Sequence, residues 1–201
     1  MRIAGGMARG ITLDAPKGRT ARPTAARARE ALFGSLAAAG AIQNATVVDL
    51  FAGTGALGLE AASRGAARVF LVERAAAAAS AAKRNAAKVA KAGVGAEIAV
   101  LRGDAAKVAR LASNLKGRVD LILADPPYAD SRRLLDGILP DADFAEWAAG
   151  SAMVWEVPDD LARYLGPETP FWSVTSRRGF GGAAFIFLEN RIASGRGFRG
   201  E

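Results

Sequence analysis

Two short stretches carry residue types whose spacing suits chemistry, Asp49-Leu50-Phe51-Ala52-Gly53-Thr54-Gly55-Ala56-Leu57-Gly58 and Asp125-Pro126-Pro127-Tyr128. In the first, β-branched Thr46-Val47-Val48 runs into a carboxylate, and glycines separate it from the helix-forming residues that begin at Ala56. A glycine turn between a strand and a helix lets a ligand approach the backbone, where the N–H groups of the next helix are unpaired. In the second, two prolines fix two φ angles and remove two N–H donors, so the bend offers only acceptors from its backbone.

The glycines alone fit the dinucleotide fingerprint Gly-x-Gly-x-x-Gly as well as other nucleoside cofactors. Asp49 discriminates, because a carboxylate at the strand tip repels a pyrophosphate and attracts a cation, the more so as water is excluded. S-adenosylmethionine carries an ammonium and a sulfonium and no phosphate. Asp49, Phe51, Gly53, Thr54 and Gly55 are therefore candidate cofactor contacts, the plainer alternative being an Asp that merely caps the following helix.

The proline bend suits an amine. In adenine, cytosine and guanine the exocyclic nitrogen's lone pair is delocalised into the ring, and the nitrogen attacks a methyl group poorly until acceptors hold its N–H bonds. Asp125 and the Pro126 carbonyl are candidates to do so, Pro127 stiffens the corner, and Tyr128 offers a face for base stacking. The expected reaction is direct in-line displacement, driven by positioning and oriented acceptors, on a base that is unpaired or flipped out. It needs no metal.

The 201 residues contain no Cys and no His, which excludes disulfides, thiolate nucleophiles, Cys/His zinc sites, iron–sulfur clusters and His-based triads. No apolar run reaches the roughly 18 residues of a membrane helix, and the first residues lack a continuous apolar stretch, so a soluble cytoplasmic protein is expected.

The elements that must position these residues alternate. Strands are expected at 46–49, 68–72, 95–101, 119–124 and 152–157, with helices at 56–63, 75–91 and 105–115 between the first four, and helical segments at 134–139 and 144–149 before the fifth. That alternation argues for a parallel sheet with right-handed crossovers. Residues 171–175 and 183–188 resemble a closing hairpin turning through Arg177-Arg178-Gly179-Phe180-Gly181-Gly182. Glu73, about 20 positions past the glycine turn, is where such folds contact ribose hydroxyls; Asp104 is a candidate partner for an adenine amine or a helix cap. Arg74 and Ala105 beside them complete the expected cofactor contacts.

Basic charge is concentrated at the start. Arg2, Arg9, Lys17, Arg19, Arg22, Arg27 and Arg29 face only Asp14 within residues 1–29, an excess close to the +7 of the whole chain. Gly5-Gly6 and Gly10 around Met7-Ala8-Arg9, with alternating Ile11-Thr12-Leu13, suggest a small hairpin or extended arm, followed by a Pro- and Gly-punctuated loop over 14–22 and a helix over 24–39 with an Ala28, Leu32, Leu36, Ala39 stripe. Arg2, Arg9, Arg22, Thr24 and Arg29 are candidate RNA contacts. The organisation expected is a basic extension at 1–40, a catalytic domain at 41–190 and a Gly/Arg tail at 191–201.

Together these residues resemble the RsmD family of bacterial 16S ribosomal RNA guanine-N2 methyltransferases. The resemblance rests on Arg2-Ile3-Ala4-Gly5-Gly6, Arg9-Gly10, Arg22-Pro23-Thr24, Arg29-Glu30-Ala31-Leu32-Phe33, the run from Asp49 to Glu60, Ser63-Arg64-Gly65-Ala66, Glu73, Asn85 and Asp125-Pro126-Pro127-Tyr128. It departs at Ala26, where relatives often have Asp, and at Gly34, where they often have Asn. The resemblance implies a Rossmann-like methyltransferase sheet of seven strands, the last antiparallel, with helices on both faces and a small N-terminal extension. It further implies methyl transfer from S-adenosylmethionine to a loop guanine of 16S RNA, met in the small subunit or its assembly intermediate. Apart from the resemblance, a monomer is expected. A DNA adenine-N6 methyltransferase shares the proline turn, a non-catalytic RNA-binding assembly factor shares the shape, and a nicotinamide oxidoreductase is a more distant alternative.

Overall fold

Apolar β-branched runs alternate with Ala- and Leu-rich runs, so helical segments connect the successive parallel strands. The computed structural model describes residues 1–14, 23–158, 161–162, 169–180 and 183–193, with side chains for all of these except 23–26 and 180. Strands β1 (Thr46–Asp49), β2 (Arg68–Glu73), β3 (Glu97–Arg102), β4 (Leu121–Ala124), β5 (Ala152–Val157), β6 (Trp172–Phe180) and β7 (Ala183–Asn190) form one sheet in the order β3-β2-β1-β4-β5-β7-β6. The first five are parallel, and β7 runs antiparallel to both β5 and β6. The order reverses at β1, so the crevice outside the C-terminal ends of β1 and β4 is where an α/β sheet binds ligands.

Because β1 and β4 are buried on both sides, successive residues feed two cores. Val47, Leu121, Leu123 and Val154 face α1 (Pro23–Ala38), α2 (Ala56–Ser63) and α3 (Ala76–Lys91). Val48, Leu50, Ile122, Met153 and Trp155 face α4 (Val108–Leu111), α5 (Ser131–Ile138) and α6 (Ala142–Trp147). In this second core Phe144 stacks between Trp147 and Trp172, with ring centroids 5.8 Å apart in each pair.

The N-terminal residues close a small hairpin: Arg2 bridges Thr12, Ile3 donates to the Ile11 carbonyl, and Leu13 donates to that of Met1. Ile3, Ala8 and Leu13 share the first core with Leu32 and Phe33, so the hairpin is packed on the sheet domain and does not project from it. On α1 the stripe Ala28, Leu32, Leu36 is buried, but Ala39 lies beyond the helix in the exposed turn and Phe33 takes its place.

Two local expectations need correction. The helix expected over 105–115 is split into a 3-10 turn at Ala105–Lys107, α4, and a second 3-10 turn at Ser113–Leu115. The indole N–H of Trp147 donates to the Ala112 carbonyl at 2.8 Å, diverting an acceptor that a continuing helix would use. Arg177 and Arg178, expected in the hairpin turn, lie within β6, where a register irregularity falls between Val174 and Ser176; 181–182 lie outside the described residues. Arg178 faces the ring of Phe187 at 5.3 Å and bonds the Ser35 hydroxyl, which ties β6 to α1. Among the described residues no helix is long and apolar enough to cross a membrane.

Candidate active site

Carboxylates sit at the C-terminal ends of all five parallel strands. Asp49 and Glu73 close β1 and β2, Asp104 follows β3 by two residues, Asp125 follows β4 by one, and Glu156 is the last residue but one of β5. All but Asp49 line one cleft of about 640 Å³, together with Phe51, Gly53, Thr54, Arg74, Ala105, Pro126, Pro127 and Tyr128. The glycine turn and the proline corner therefore share a cavity of the size that encloses a small cofactor.

The turn takes its shape from its glycines. Gly55 has φ +89°, a left-handed value that a side chain would strain, and it caps α2 with no side-chain bond. Gly58 has no room for a Cβ, which would overlap the Leu71 side chain. That close approach lets the Gly58 N–H donate to Asp49 Oδ2 at 3.0 Å. The buried Asn85 amide donates to the carbonyls of Thr54 and Asp14 and accepts from the Asp14 N–H, clamping the turn to the N-terminal segment. Phe51 anchors the other side, its ring 6.0 Å from that of Trp155.

Asp49 lies beneath the cleft floor, 1% exposed, and does not line the cavity. Its Oδ1 is buried without a hydrogen-bond partner. Burial pushes its carboxyl up to about 7, opposed by the backbone N–H groups of Gly58 and Phe51 and reinforced by the negative charges of Asp125 and Glu73. A cation in the cleft would relieve that penalty, whereas a phosphate would add to it. Glu73 accepts from the Gly53 and Ala75 N–H groups at 2.9 and 2.7 Å, so the carboxylate also fixes the loop. Asp104 caps the 3-10 turn through the Ala106 N–H at 3.0 Å. Ala105 is buried in the wall and Arg74 is exposed on the rim.

At the proline corner Asp125, Pro127 and Tyr128 are exposed and Pro126 is buried. The Tyr128 hydroxyl donates to Glu156 Oε1 at 3.0 Å, orienting a ring that is half open to solvent. Burial and the neighbouring Asp125 charge push the Glu156 carboxyl up to about 7. No motif pointed to Glu156; its place depends on the register between β4 and β5.

The expected RNA contacts divide. Arg2 and Arg9 are exposed on the hairpin; Arg22 and the Thr24 side chain lie outside the described residues. Arg29 is corrected: it is 7% exposed, and its guanidinium donates to the Arg2 carbonyl at 2.8 Å and to Met1 Sδ at 3.0 Å, with Glu60 at 3.8 Å. It joins Met1 in the cleft wall, so a phosphate would have to displace these partners. Glu60, fully buried, also accepts from the Ala4 and Gly5 N–H groups and from Arg64, each at 2.8 Å. The one acidic residue of the apolar helix Ala-Leu-Gly-Leu-Glu-Ala-Ala-Ser was a signal that it required buried partners.

Among the described residues no group of three or more acidic, Cys or His side chains is placed to hold a metal ion. The residues present fit S-adenosylmethionine, with acidic groups around the cavity, a buried carboxylate destabilised by its burial, and no basic residue on the glycine turn to meet a pyrophosphate.

Comparisons with known proteins agree with this geometry. A family model described as conserved hypothetical protein 95 matches residues 1–154. Ribosomal RNA small subunit methyltransferase D of Escherichia coli K12 is 34% identical over 202 residues, 97% of this chain and 92% of that protein. The putative rRNA methyltransferase YlbH of Bacillus subtilis is 30% identical over 132 residues, 66% of this chain and 69% of that one. Among solved structures, the putative methyltransferase yhhF from Escherichia coli matches with a TM-score of 0.73 at 33% identity, covering 96% of this chain and 98% of that one. A hypothetical protein of Thermus thermophilus matches with a TM-score of 0.70 at 33% identity, covering 94% of this chain and 99% of that one. Matched by the family model over residues 1–154 and similar to methyltransferase D along nearly its whole length, the chain belongs to the conserved hypothetical protein 95 family, that of the RsmD methyltransferases.

Proposed function

We propose that this protein transfers a methyl group from S-adenosylmethionine to the N2 amine of an exposed loop guanine in 16S ribosomal RNA. The observation that carries the reading is that Gly53 and Asp125, from the two separate motifs, line a single acidic cleft. The likeness to a small-subunit ribosomal RNA methyltransferase over 97% of the chain supports ribosomal RNA as the substrate class.

When bound, S-adenosylmethionine supplies a methyl carbon made electrophilic by its sulfonium. Asp49 would supply negative charge beneath the cofactor's cationic end, Glu73 would accept from the ribose hydroxyls and Asp104 from the adenine amine, with Phe51, Thr54, Arg74 and Ala105 lining the cleft and Gly55 shaping the turn behind it. Asp125 and the Pro126 carbonyl accept the two hydrogens of the guanine amine and turn its nitrogen toward the methyl carbon. Pro127 holds the corner rigid, and stacking on Tyr128 is worth roughly 1–3 kcal/mol. Transfer would exchange the S–C bond for a new N–C bond, and Asp125 or water would take the amine's surplus proton.

The exposed Arg2 and Arg9 suit phosphate contacts, with Arg22 and Thr24 as further candidates from the same segment. The enzyme acts in the cytoplasm as a monomer, without a metal, on the small subunit or its assembly intermediate.

The test supplies radiolabelled S-adenosylmethionine with unmodified small-subunit RNA or with DNA, digests the product and identifies the labelled nucleoside. N2-methylguanosine from RNA is the expected result. Label found only in N6-methyladenine, or no transfer at all alongside NAD binding, would overturn the reading.

A further inference from the structure

The parallel register pairs Ala124 with Trp155, so the next residue of each strand, Asp125 and Glu156, stand side by side at the open ends of β4 and β5. Neighbouring strands are about 4.8 Å apart, close enough for two carboxylates to face one base edge. Both line the cleft, and the charge of Asp125 acts directly on Glu156. Around them the wall is short of donors. Pro126 and Pro127 have no N–H, and the Tyr128 hydroxyl directs its hydrogen at Glu156. Glu156 keeps further lone pairs after accepting from Tyr128.

An acceptor pair of this kind distinguishes bases that all carry an exocyclic amine. Guanine sets its N2 amine beside N1–H, two donors in a row. Adenine sets its amine beside an N1 lone pair, and cytosine beside an N3 lone pair. Either would turn a lone pair toward Glu156. We propose that Glu156 is a specificity-determining residue that selects guanine by accepting its N1 hydrogen while Asp125 holds the adjacent amine; this rests on the functional reading above. A site built to accept a substrate N–H rejects an analogue lacking it, because its own buried polar group is left opposed.

The experiment compares two RNA fragments spanning the methylated site, each reconstituted with small-subunit proteins into an assembly particle, one with guanine and one with 2-aminopurine at the target position. The analogue keeps the amine at C2 but has a lone pair at N1. At pH 8, above the raised Glu156 value of about 7, the carboxylate can only accept, and wild-type protein is expected to favour guanine by about 100-fold or more in kcat/KM. Glu156→Gln is expected to shrink that ratio at least tenfold, through loss on guanine, while its S-adenosylmethionine affinity, read by calorimetry, stays close to wild type. Tyr128→Phe is expected to slow both substrates and leave the ratio in place. Equal use of the two fragments by wild type overturns the assignment even if the Glu156 variant does not fold. So does an unchanged ratio in Glu156→Gln, or a Tyr128→Phe variant that reproduces the ratio change, which would reduce Glu156 to a support for the tyrosine. Failure of wild type to methylate the guanine fragment overturns the functional reading itself, and with it this one.

Discussion

Replacing Asp49 with Asn should make the empty protein more stable and the cofactor weaker, two effects of opposite sign from one buried charge. In the folded chain the Asp49 carboxyl is pushed up from 3.8 to about 7, chiefly by burial. Between those values the folded state keeps a proton that the unfolded chain has released, so stability falls as pH rises through this window and levels off above it. At roughly 1.4 kcal/mol per pH unit the loss reaches about 4 kcal/mol by pH 8. The Asp49→Asn variant would escape it and retain the Gly58 bond, but its amide hydrogens would be buried without acceptors at a cost of about 1–3 kcal/mol. A net gain of about 1–3 kcal/mol at pH 8 remains, vanishing toward pH 5. Cofactor binding moves the other way, since losing a charge-assisted interaction worth about 1.5–3 kcal/mol weakens S-adenosylmethionine by roughly 10- to 150-fold. Urea unfolding at pH 5, 6, 7 and 8, with calorimetric titration of S-adenosylmethionine at pH 8, reads both. A variant with the same pH slope as wild type and the same affinity would refute the idea that Asp49 stores unfavourable charge for a cationic ligand.

Three further outcomes follow from residues outside the reacting centre. Glu60→Gln places an amide donor against either the Ala4 or the Gly5 N–H and leaves Arg29 and Arg64 without their carboxylate; breaking such a buried pair costs about 3–5 kcal/mol. The melting temperature should fall by about 10 °C and the N-terminal hairpin become sensitive to protease, whereas a shift under about 2 °C would remove Glu60 as the hairpin's anchor. Gly34 lies inside α1 with no atom within 4 Å of a Cβ built on it, so Gly34→Ala should stabilise the protein by about 1 kcal/mol in urea unfolding; destabilisation would contradict that placement. Replacing Arg2 and Arg9 together by Gln should lower the slope of log affinity against log salt for RNA by roughly 0.7–0.9 for each phosphate the pair neutralises, and an unchanged slope would exclude both from the interface.

The strand-turn-helix around Asp49 was legible because β-branched residues, glycines and helix formers follow one another locally, and the proline corner because proline fixes its own backbone. What depends on distant partners was hidden. Counting arginines marked the N-terminal segment as basic, but only the fold reveals that Arg29 turns inward to Glu60, far along the chain, while Arg2 and Arg9 stay outside. The break in the helix at Ala112 comes from an indole 35 residues away. Glu156 carries no motif at all, because its position beside Asp125 is set by the pairing of two strands. The position of Asp49 at the strand end was readable, but its depth beneath the cleft was not.

The central claim is that one cleft holds the cofactor through the glycine turn and the amine through the proline corner, so the two functions should separate at Asp125. Calorimetry and methyl transfer, measured on the same preparation of Asp125→Ala, test this most directly. S-adenosylmethionine affinity within about threefold of wild type, with transfer to RNA lowered by roughly 100-fold or more, is the predicted result. Transfer at the wild-type rate, or binding and transfer lost in equal measure, would contradict it.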